Sequence, residues 1–282
     1  MLRTRIWMGT LLIGLAGLIL LEARVLAPYF PVLFVATMAA ALLATRELRR
    51  MTNPDSRPAA IVCFGGVGML VAGNWVRAFP IAIDIWHLLG LIAIGWFAVA
   101  AMIEMRSFTG SRLITERLSQ SLLILIYLGV LPAFLVQMRW LPAYSNLALA
   151  LAVFVPKGCD IGAYFTGKFL TGRLLGRTPM TPQLSPKKTV QGAIGGLILA
   201  CVVAVALGTI EPIFCCTASA ILFGLLVGTA GMLGDLAESL LKRDRQTKDA
   251  SAAVPGFGGV LDVIDSLLFA APVAYLWFIA TL

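Results

Sequence analysis

The chain has 282 residues, of which 60% are hydrophobic and 13% are charged, and its formal net charge is +8. A water-soluble domain of this length needs more polar residues than this to cover its surface. The composition therefore excludes a soluble globular protein and indicates a polytopic membrane protein, whose positive charge we assign to membrane topology and phosphate groups and not to nucleic acid.

Nine apolar stretches are long enough to cross about 30 Å of hydrocarbon. They are residues 7–21, 26–44, 59–76, 85–103, 118–136, 147–165, 193–207, 213–241 and 263–282. The sequence therefore predicts an all-α integral membrane protein with about nine transmembrane helices. The simplest division is a single transmembrane domain over residues 1–282, with N-terminal helices in 1–145 and a second half in 146–282.

The distribution of basic residues predicts the orientation, because Lys and Arg collect on the cytosolic side of short loops. If the N-terminus is cytosolic, the only external cations are Arg24, Arg77 and Arg139, and Lys157 falls within a span. The other basic residues then lie on the cytosolic side, where they also attract anionic lipid head groups. This predicts a multi-pass protein of the inner (cytoplasmic) membrane with its C-terminus outside.

The first apolar stretch has a second interpretation. Arg3 and Arg5 precede it, and residues 25–27 resemble a cleavage site, as in a secretory signal. Removal of residues 1–27 leaves the rest of the predicted topology unchanged.

Cysteine and histidine offer little chemistry in this sequence. The five cysteines lie in or beside apolar stretches without the spacing of metal ligands, so we predict small buried hydrophobes. These cysteines are Cys63, Cys159, Cys201, Cys215 and Cys216. His87 is the only histidine and falls near an external span end, so histidine-based catalysis has little support.

Two cytosolic loops, 166–191 and 242–261, hold most of the polar residues of the second half. Pro179, Pro182 and Pro186 each remove a backbone donor, so we predict an irregular first loop. Such backbone must be solvated or folded against protein. This suits a lid or a phosphate-binding loop over a cytosolic cavity.

Small residues precede the second loop. Gly228, Gly231 and Gly234 recur at a spacing that indicates close helix packing in a bilayer.

Carboxylates flank the second loop on both sides. Asp235 and Glu238 are three residues apart, as are Asp262 and Asp265, so each pair shares a helical face. Oxygen ligands suit Mg²⁺, whereas zinc lacks its usual ligands here and no P-loop is present. A structural alternative is open for Asp265, because carboxylates are favoured at helix starts.

The same segments carry ordered motifs. One runs from Asp160 to Lys168 and, after a linker, from Leu184 to Gly196; the other runs from Ser239 to Asp249 and from Pro255 to Ser266. Together they resemble the two conserved blocks of the phosphatidate cytidylyltransferase (CDP-diacylglycerol synthase) family. Phe257, Val263 and Gln191 stand where that family usually has His, Arg and Glu.

The resemblance implies transfer of a cytidylyl group from CTP to phosphatidic acid, giving CDP-diacylglycerol and pyrophosphate in phospholipid biosynthesis. It also implies a homodimer embedded among membrane lipids. Our hypothesis assigns Asp235, Asp262 and Asp265 to Mg²⁺, with room for a second cation, and Lys242 and Lys248 to catalysis.

The predicted substrate-binding residues are those whose side chains or backbone suit phosphate and nucleotide contacts. They are Asp160, Tyr164, Lys168, Ser185, Lys187, Lys188, Thr189, Gly192, Ser239, Arg243, Asp249, Gly258 and Gly259. Which block holds CTP is left open. For Asp160, an ion pair with Lys157 or Lys168 is an equal alternative.

Two other functions remain open on the sequence. One is a related CTP-dependent lipid enzyme, either a polyprenol-type kinase or a cytidylyltransferase for another lipid phosphate. The other is an ion-coupled transporter that uses Asp160 and Asp235 as an ion path.

Overall fold

The computed structural model describes residues 2–108, 110, 113–170, 176, 178–245, 251, 253–256 and 258–282, although not the side chains of residues 2–6 and 170. Within these ranges nine helical segments are long and apolar enough to cross a membrane. The predicted all-α membrane fold with nine spans is therefore confirmed.

Ten α-helices make up these spans. They are α1 (Leu2–Val25), α2 (Pro31–Met51), α3 (Ala60–Gly73), α4 (Ile85–Arg106), α5 (Ile114–Leu125), α6 (Leu131–Gln137), α7 (Ser145–Phe165), α8 (Val190–Gly208), α9 (Thr217–Asp244) and α10 (Val260–Thr281). A π-helical turn, Ile126–Val130, joins α5 to α6 in one span. Short 3₁₀ segments occupy Pro54–Ser56, Asn74–Ala78 and Met138–Trp140.

The chain contains two compact units. One comprises Met1–Val136 with Thr247–Val263, and the other comprises Gln137–Gln246 with Ile264–Leu282. Helix α10 therefore contributes its first turn to one unit and its remainder to the other. The assignment of residues 1–282 to a single domain stays a prediction.

The core of the first unit includes buried side chains of α3, α4, α5 and α6. Leu70, Ile85, Leu89, Leu125 and Ala133 pack together there. Apolar contacts of this kind pack the helices together but are not directional. Polar contacts therefore fix where individual helices begin and end.

One such polar contact joins α1 to the start of α2. The buried Glu22 carboxylate accepts the backbone N–H groups of Val32 at 2.7 Å and Leu33 at 2.9 Å. Since the first four N–H groups of a helix have no intrahelical partner, Glu22 satisfies two of them from a neighbouring helix.

Small residues determine the packing of the second unit. A Cβ on Gly228 would lie 3.0 Å from Ala200, and one on Gly231 would lie 2.8 Å from Pro156. At Gly234, a Cβ would overlap the carbonyl oxygen of Asp265. The predicted packing role of these three glycines is confirmed, and it lets α9 lie directly against α7, α8 and α10.

The prediction of an irregular loop over residues 166–191 is wrong in part. The π-helical turn Thr166–Leu170 follows α7, and strands β1 (Pro179–Thr181) and β2 (Ser185–Thr189) form an antiparallel hairpin that pairs Thr181 with Ser185. Both strands of a two-stranded ribbon are edge strands, and edge strands tolerate proline. The prolines therefore did not prevent pairing.

The prediction of five buried cysteines is also wrong in part. Cys63 and Cys159 are buried, but Cys201 is half-buried, and Cys215 and Cys216 are exposed. The last two lie in the segment between α8 and α9.

Candidate active site

Three carboxylates of the second unit converge between α9 and α10. Oxygen atoms of Asp235, Glu238 and Asp265 all lie within 4.8 Å of one another. Glu238 is 0% exposed and Asp265 is 6% exposed. The i, i+3 spacing places Asp235 and Glu238 on one face of α9, and Gly234 lets α10 approach that face closely.

Lysines from three elements neutralise these carboxylates. Lys188 of β2 lies 2.7 Å from Asp235, and Lys242 of α9 lies 2.7 Å from Glu238. Lys157 of α7 lies 3.9 Å from Asp265. Buried charges are costly unless they are paired, so the lysines account for the tolerance of several carboxylates in one place.

Ser266 connects Asp160 to this cluster. Its hydroxyl donates to Asp160 Oδ2 at 3.0 Å and accepts from Lys157 Nζ at 2.8 Å. Lys157 Nζ also lies 3.3 Å from Asp160 Oδ2. Of the two partners open to Asp160 on the sequence, the structure selects Lys157, which also lies 3.9 Å from Asp265.

Asp265 does not cap the helix that carries it. Helix α10 begins at Val260, so Asp265 lies beyond the first turn, and its Oδ1 accepts the N–H of Ser266 at 2.6 Å. The structural alternative of a helix-start carboxylate therefore applies to Asp262 and not to Asp265.

Asp262 belongs to the first unit, in the first turn of α10. Its Oδ2 accepts the N–H of Gly259 at 2.5 Å, and Gly258 adopts φ +109°, a left-handed backbone conformation. Glycine adopts this conformation without strain. The assignment of Asp262 to the same cation as Asp235 and Asp265 stays a prediction.

The hairpin residues have different environments. Lys188 reaches Asp235, whereas Lys187 is exposed and Ser185 is half-buried. Thr189 caps α8, because its Oγ1 accepts the N–H of Gly192 at 3.1 Å. The cap gives Thr189 and Gly192 a structural role beside the binding role predicted for them.

Gln191 also has a structural contact. Its side-chain amide exchanges two hydrogen bonds of 3.2 Å with Thr178, one with the backbone and one with the hydroxyl. The residue that replaces the usual Glu of the motif thus holds the base of the hairpin to α8.

Further predicted residues lie at the ends of α7 and α9. Lys168 donates to the Tyr164 hydroxyl at 3.1 Å, and both residues are exposed. Arg243 donates to the carbonyl of Leu184 at 3.2 Å and so ties α9 to the hairpin. Ser239 is half-buried. Lys248, Asp249 and Phe257 lie outside the described residues.

Sequence reasoning omitted three members of the cluster from the candidate site. Glu238 was paired with Asp235 by spacing but left out of the metal set, and Lys157 was treated only as a possible partner of Asp160. A cation in the middle of an apolar span is itself a functional signal. Ser266 ends the second motif, but only the fold shows that its hydroxyl contacts Asp160.

The donor set fits Mg²⁺. Ligands of an octahedral Mg²⁺ lie about 2.1 Å from the ion, so opposite ligands are separated by about 4 Å. Asp235, Glu238 and Asp265 offer only oxygen atoms within 4.8 Å of one another. The described residues form no comparable group with His or Cys ligands, so the cluster suits a hard cation.

Comparison with known proteins gives consistent results. A phosphatidate cytidylyltransferase of Bacillus subtilis is 31% identical over 213 residues, which cover 75% of this chain and 77% of that protein. One of Pseudomonas aeruginosa is 36% identical over 197 residues, covering 66% and 68%. One of Synechocystis is 36% identical over 187 residues, covering 56% and 61%.

The family comparison extends over nearly the entire chain. The model of the cytidylyltransferase family matches residues 3–280, a range that includes the hairpin and the cluster of carboxylates and lysines. The chain therefore belongs to the cytidylyltransferase family and is a membrane nucleotidyltransferase.

Proposed function

We propose that this protein transfers a cytidylyl group from CTP to phosphatidic acid in a Mg²⁺-dependent reaction. The observation that carries the proposal is the group of Asp235, Glu238 and Asp265, whose oxygens lie within 4.8 Å of one another in a member of this family. The products are CDP-diacylglycerol and pyrophosphate.

The reaction does not require the protein to supply a strong general base. A phosphate oxygen of phosphatidic acid bonds to the α-phosphorus of CTP, and the bond from that phosphorus to the bridging oxygen of pyrophosphate breaks. The attacking oxygen is already anionic near neutral pH. Catalysis then rests on alignment of two polyanions and on neutralisation of the charge that develops on the leaving group.

Asp235, Glu238 and Asp265 would hold Mg²⁺, with Asp262 as a further ligand. The bound ion supplies charge neutralisation and orients phosphate oxygens. Asp160 and Ser266 hold Lys157 beside Asp265, through contacts of 3.3 Å and 2.8 Å with Lys157 Nζ. Lys157 thereby limits the negative charge that this end of the cluster presents to two anionic substrates.

Lys188 and Lys242 are the phosphate-binding cations of the proposal. Each lies 2.7 Å from a carboxylate of the cluster. In this proposal the carboxylates of the cluster would ligate Mg²⁺, and the ammonium groups of Lys188 and Lys242 would bind phosphate oxygens of the nucleotide. Arg243, Lys248 and Asp249 would complete the phosphate and nucleotide contacts.

The charge asymmetry of the loops supports the membrane orientation that we propose. A cytosolic N-terminus places the hairpin and the loop before α10 on the side that contains nucleotides. We place the protein in the inner membrane, with its C-terminus outside, and as a homodimer among its lipid substrates.

The test uses protein purified in detergent, phosphatidic acid, Mg²⁺ and CTP labelled in the α-phosphate and, separately, the γ-phosphate. Label from the α-phosphate should appear in lipid, and label from the γ-phosphate should appear in pyrophosphate. Free CDP with γ-labelled lipid would instead identify a lipid kinase. Turnover with another lipid phosphate, but not with phosphatidic acid, would identify a different cytidylyltransferase.

A further inference from the structure

A second buried glutamate, Glu47, caps the N-terminus of α10. It lies on α2 and is 4% exposed. Its two oxygens accept the backbone N–H groups of Val260 at 3.0 Å and Leu261 at 2.9 Å. Oε1 also accepts the hydroxyl of Ser251 at 2.5 Å. All of these residues belong to the first unit.

The local sequence explains why this contact is needed. The first N–H groups of a helix have no intrahelical partner, and the preceding residue usually supplies an oxygen from its side chain. Before α10 that residue is Gly259, which has no side chain. Glu47 therefore supplies the cap from another helix, and its negative charge suits the positive end of the helix dipole.

The same carboxylate also accepts a hydrogen bond from Ser251, which lies in the loop that precedes α10. Ser251, which donates to Glu47, accepts the N–H of Ala253 at 3.0 Å. Val254 and Gly258 then exchange backbone hydrogen bonds of 2.8 Å and 3.0 Å. Glu47 thus accepts hydrogen bonds from both sides of this glycine-rich loop: from Ser251 before it and from the first turn of α10 after it.

The contacts of Glu47 extend to Asp262 through the three backbone N–H groups that precede Asp262 in the chain. Gly259 donates to Asp262 Oδ2 at 2.5 Å, and the next two N–H groups are those held by Glu47. A Cβ on Gly258 would lie 2.7 Å from Asp262 Oδ2. The direction of the Asp262 carboxylate therefore depends on the backbone position that Glu47 fixes.

We propose that Glu47 is a positioning residue for the proposed reaction: it fixes the first turn of α10, which carries Asp262, and the backbone of the loop before that turn, and so acts through Asp262. The inference rests on the proposed function. It assigns a role in the reaction to α2, far from both motifs in the sequence.

The experiment compares Glu47→Ala and Glu47→Gln with the wild-type protein. Loss of groups that orient metal ligands typically lowers metal affinity or activity 10- to 100-fold. We expect Glu47→Ala to raise the Mg²⁺ concentration for half-maximal activity about tenfold or more. Glu47→Gln keeps one acceptor oxygen and should show a smaller shift.

A readout independent of turnover accompanies the assay. Amide hydrogen exchange of peptides that cover Val260 and Leu261 should become faster in Glu47→Ala, because those N–H groups lose their acceptor. Stabilisation of the purified protein by Mg²⁺ with CTP, measured by thermal unfolding, should require more Mg²⁺.

Glu22 offers a matched control, since it caps α2 with contacts of 2.7 Å and 2.9 Å from a neighbouring helix. Glu22→Ala should speed exchange at Val32 and Leu33 and leave the Mg²⁺ requirement unchanged. An equal Mg²⁺ shift in Glu22→Ala, or an unchanged Mg²⁺ requirement in Glu47→Ala, would overturn the positioning role.

The test also covers two other outcomes: a Glu47→Ala variant that does not fold, and a wild-type protein that forms no CDP-lipid. If Glu47→Ala does not fold, Glu47→Gln and Ser251→Ala carry the comparison, and wild-type Mg²⁺ midpoints in both would refute the proposal. If the wild-type protein forms no CDP-lipid, the proposed function fails. Thermal stabilisation by Mg²⁺ and exchange at the start of α10 still decide the role of Glu47.

Discussion

Lys188 lies 2.7 Å from Asp235, and this ion pair joins the hairpin between α7 and α8 to the carboxylate cluster on α9. The two side chains are only partly buried, at 26% and 33% exposure. Exposed ion pairs contribute about 0–1 kcal/mol to stability. The contact is therefore better suited to exchange with incoming ligands than to support of the fold.

Lys188→Met should consequently impair turnover far more than folding. We expect kcat/KM for CTP to fall at least tenfold, about 1.4 kcal/mol of transition-state stabilisation, with a change in unfolding free energy of less than about 1 kcal/mol. Lys188→Arg should recover part of the activity. Steady-state kinetics and thermal unfolding measure the two effects, and a stability loss without a kinetic loss would assign Lys188 to the fold.

Asp235→Asn and Asp265→Asn should each abolish CDP-lipid formation, because an amide supplies less negative charge to a cation than a carboxylate does. Asp244→Asn is the matched control: this carboxylate lies at the end of the same helix, is 68% exposed and pairs with Arg245 at 3.2 Å. It should retain activity. Normal turnover in both cluster variants would refute the metal assignment.

The sequence predicted the parts of the site whose signal is local. Spacing on one helix brought Asp235 and Glu238 together, and the apolar length of each span indicated the nine crossings. Contacts between distant segments had no such signal. The hydrogen bonds from Ser266 to Asp160 and from Val260 to Glu47 depend on how helices pack, and side-chain identity alone does not specify that packing.

The hairpin shows that local sequence rules can also predict the wrong structure. Local rules read Pro179, Pro182 and Pro186 as breakers, yet residues 179–189 pair as a ribbon because each strand has a free edge. The location of this segment, beside the residues of the first motif, indicated its function better than its prolines indicated its structure. It brings Lys188 to Asp235, which a propensity argument does not reveal.

Lys242 and Glu238 form the most buried ion pair of the cluster, at 12% and 1% side-chain exposure and 2.7 Å. Removal of one member of a buried pair typically costs about 3–5 kcal/mol, because the other charge loses its compensation. Lys242→Met should therefore lower the unfolding free energy by about that amount. The double variant Lys242→Met/Glu238→Gln should recover much of it.

Denaturation of the detergent-purified single and double variants gives the coupling energy of this pair. Additive losses in the double variant would show that the two charges do not depend on each other for stability. The double variant should remain inactive even where it is stable, since it lacks a carboxylate of the cluster.

Gly234→Ala tests the close approach of α9 and α10. The added methyl would overlap the carbonyl oxygen of Asp265, and overpacking of this kind costs about 1–3 kcal/mol. It should also displace Asp265 and reduce activity. Gly95→Ala on α4 is the control, because apart from the nearby backbone of its own helix no heavy atom lies within 4 Å of the added Cβ; equal losses in both variants would argue against the proposed contact.

The exposed thiols between α8 and α9 predict a pH-dependent reactivity. Hydrogen bonding lowers the pKa of the Cys216 thiol, first through the backbone N–H of Ser219 and then through Cys215, whose Sγ lies 3.8 Å away. A lowered pKa increases the thiolate fraction at a given pH, and the thiolate is the nucleophile. Alkylation of Cys216 should therefore rise and level off at lower pH than that of an ordinary thiol.

Mass spectrometry of the protein after timed alkylation at several pH values measures this effect. Cys63 and Cys159 are 0% exposed and should remain unmodified in the folded protein. Cys215→Ser removes one of the groups that favour the thiolate, so it should shift the Cys216 profile to higher pH. A profile unchanged by that substitution would show that the helix N–H groups alone set the reactivity of Cys216.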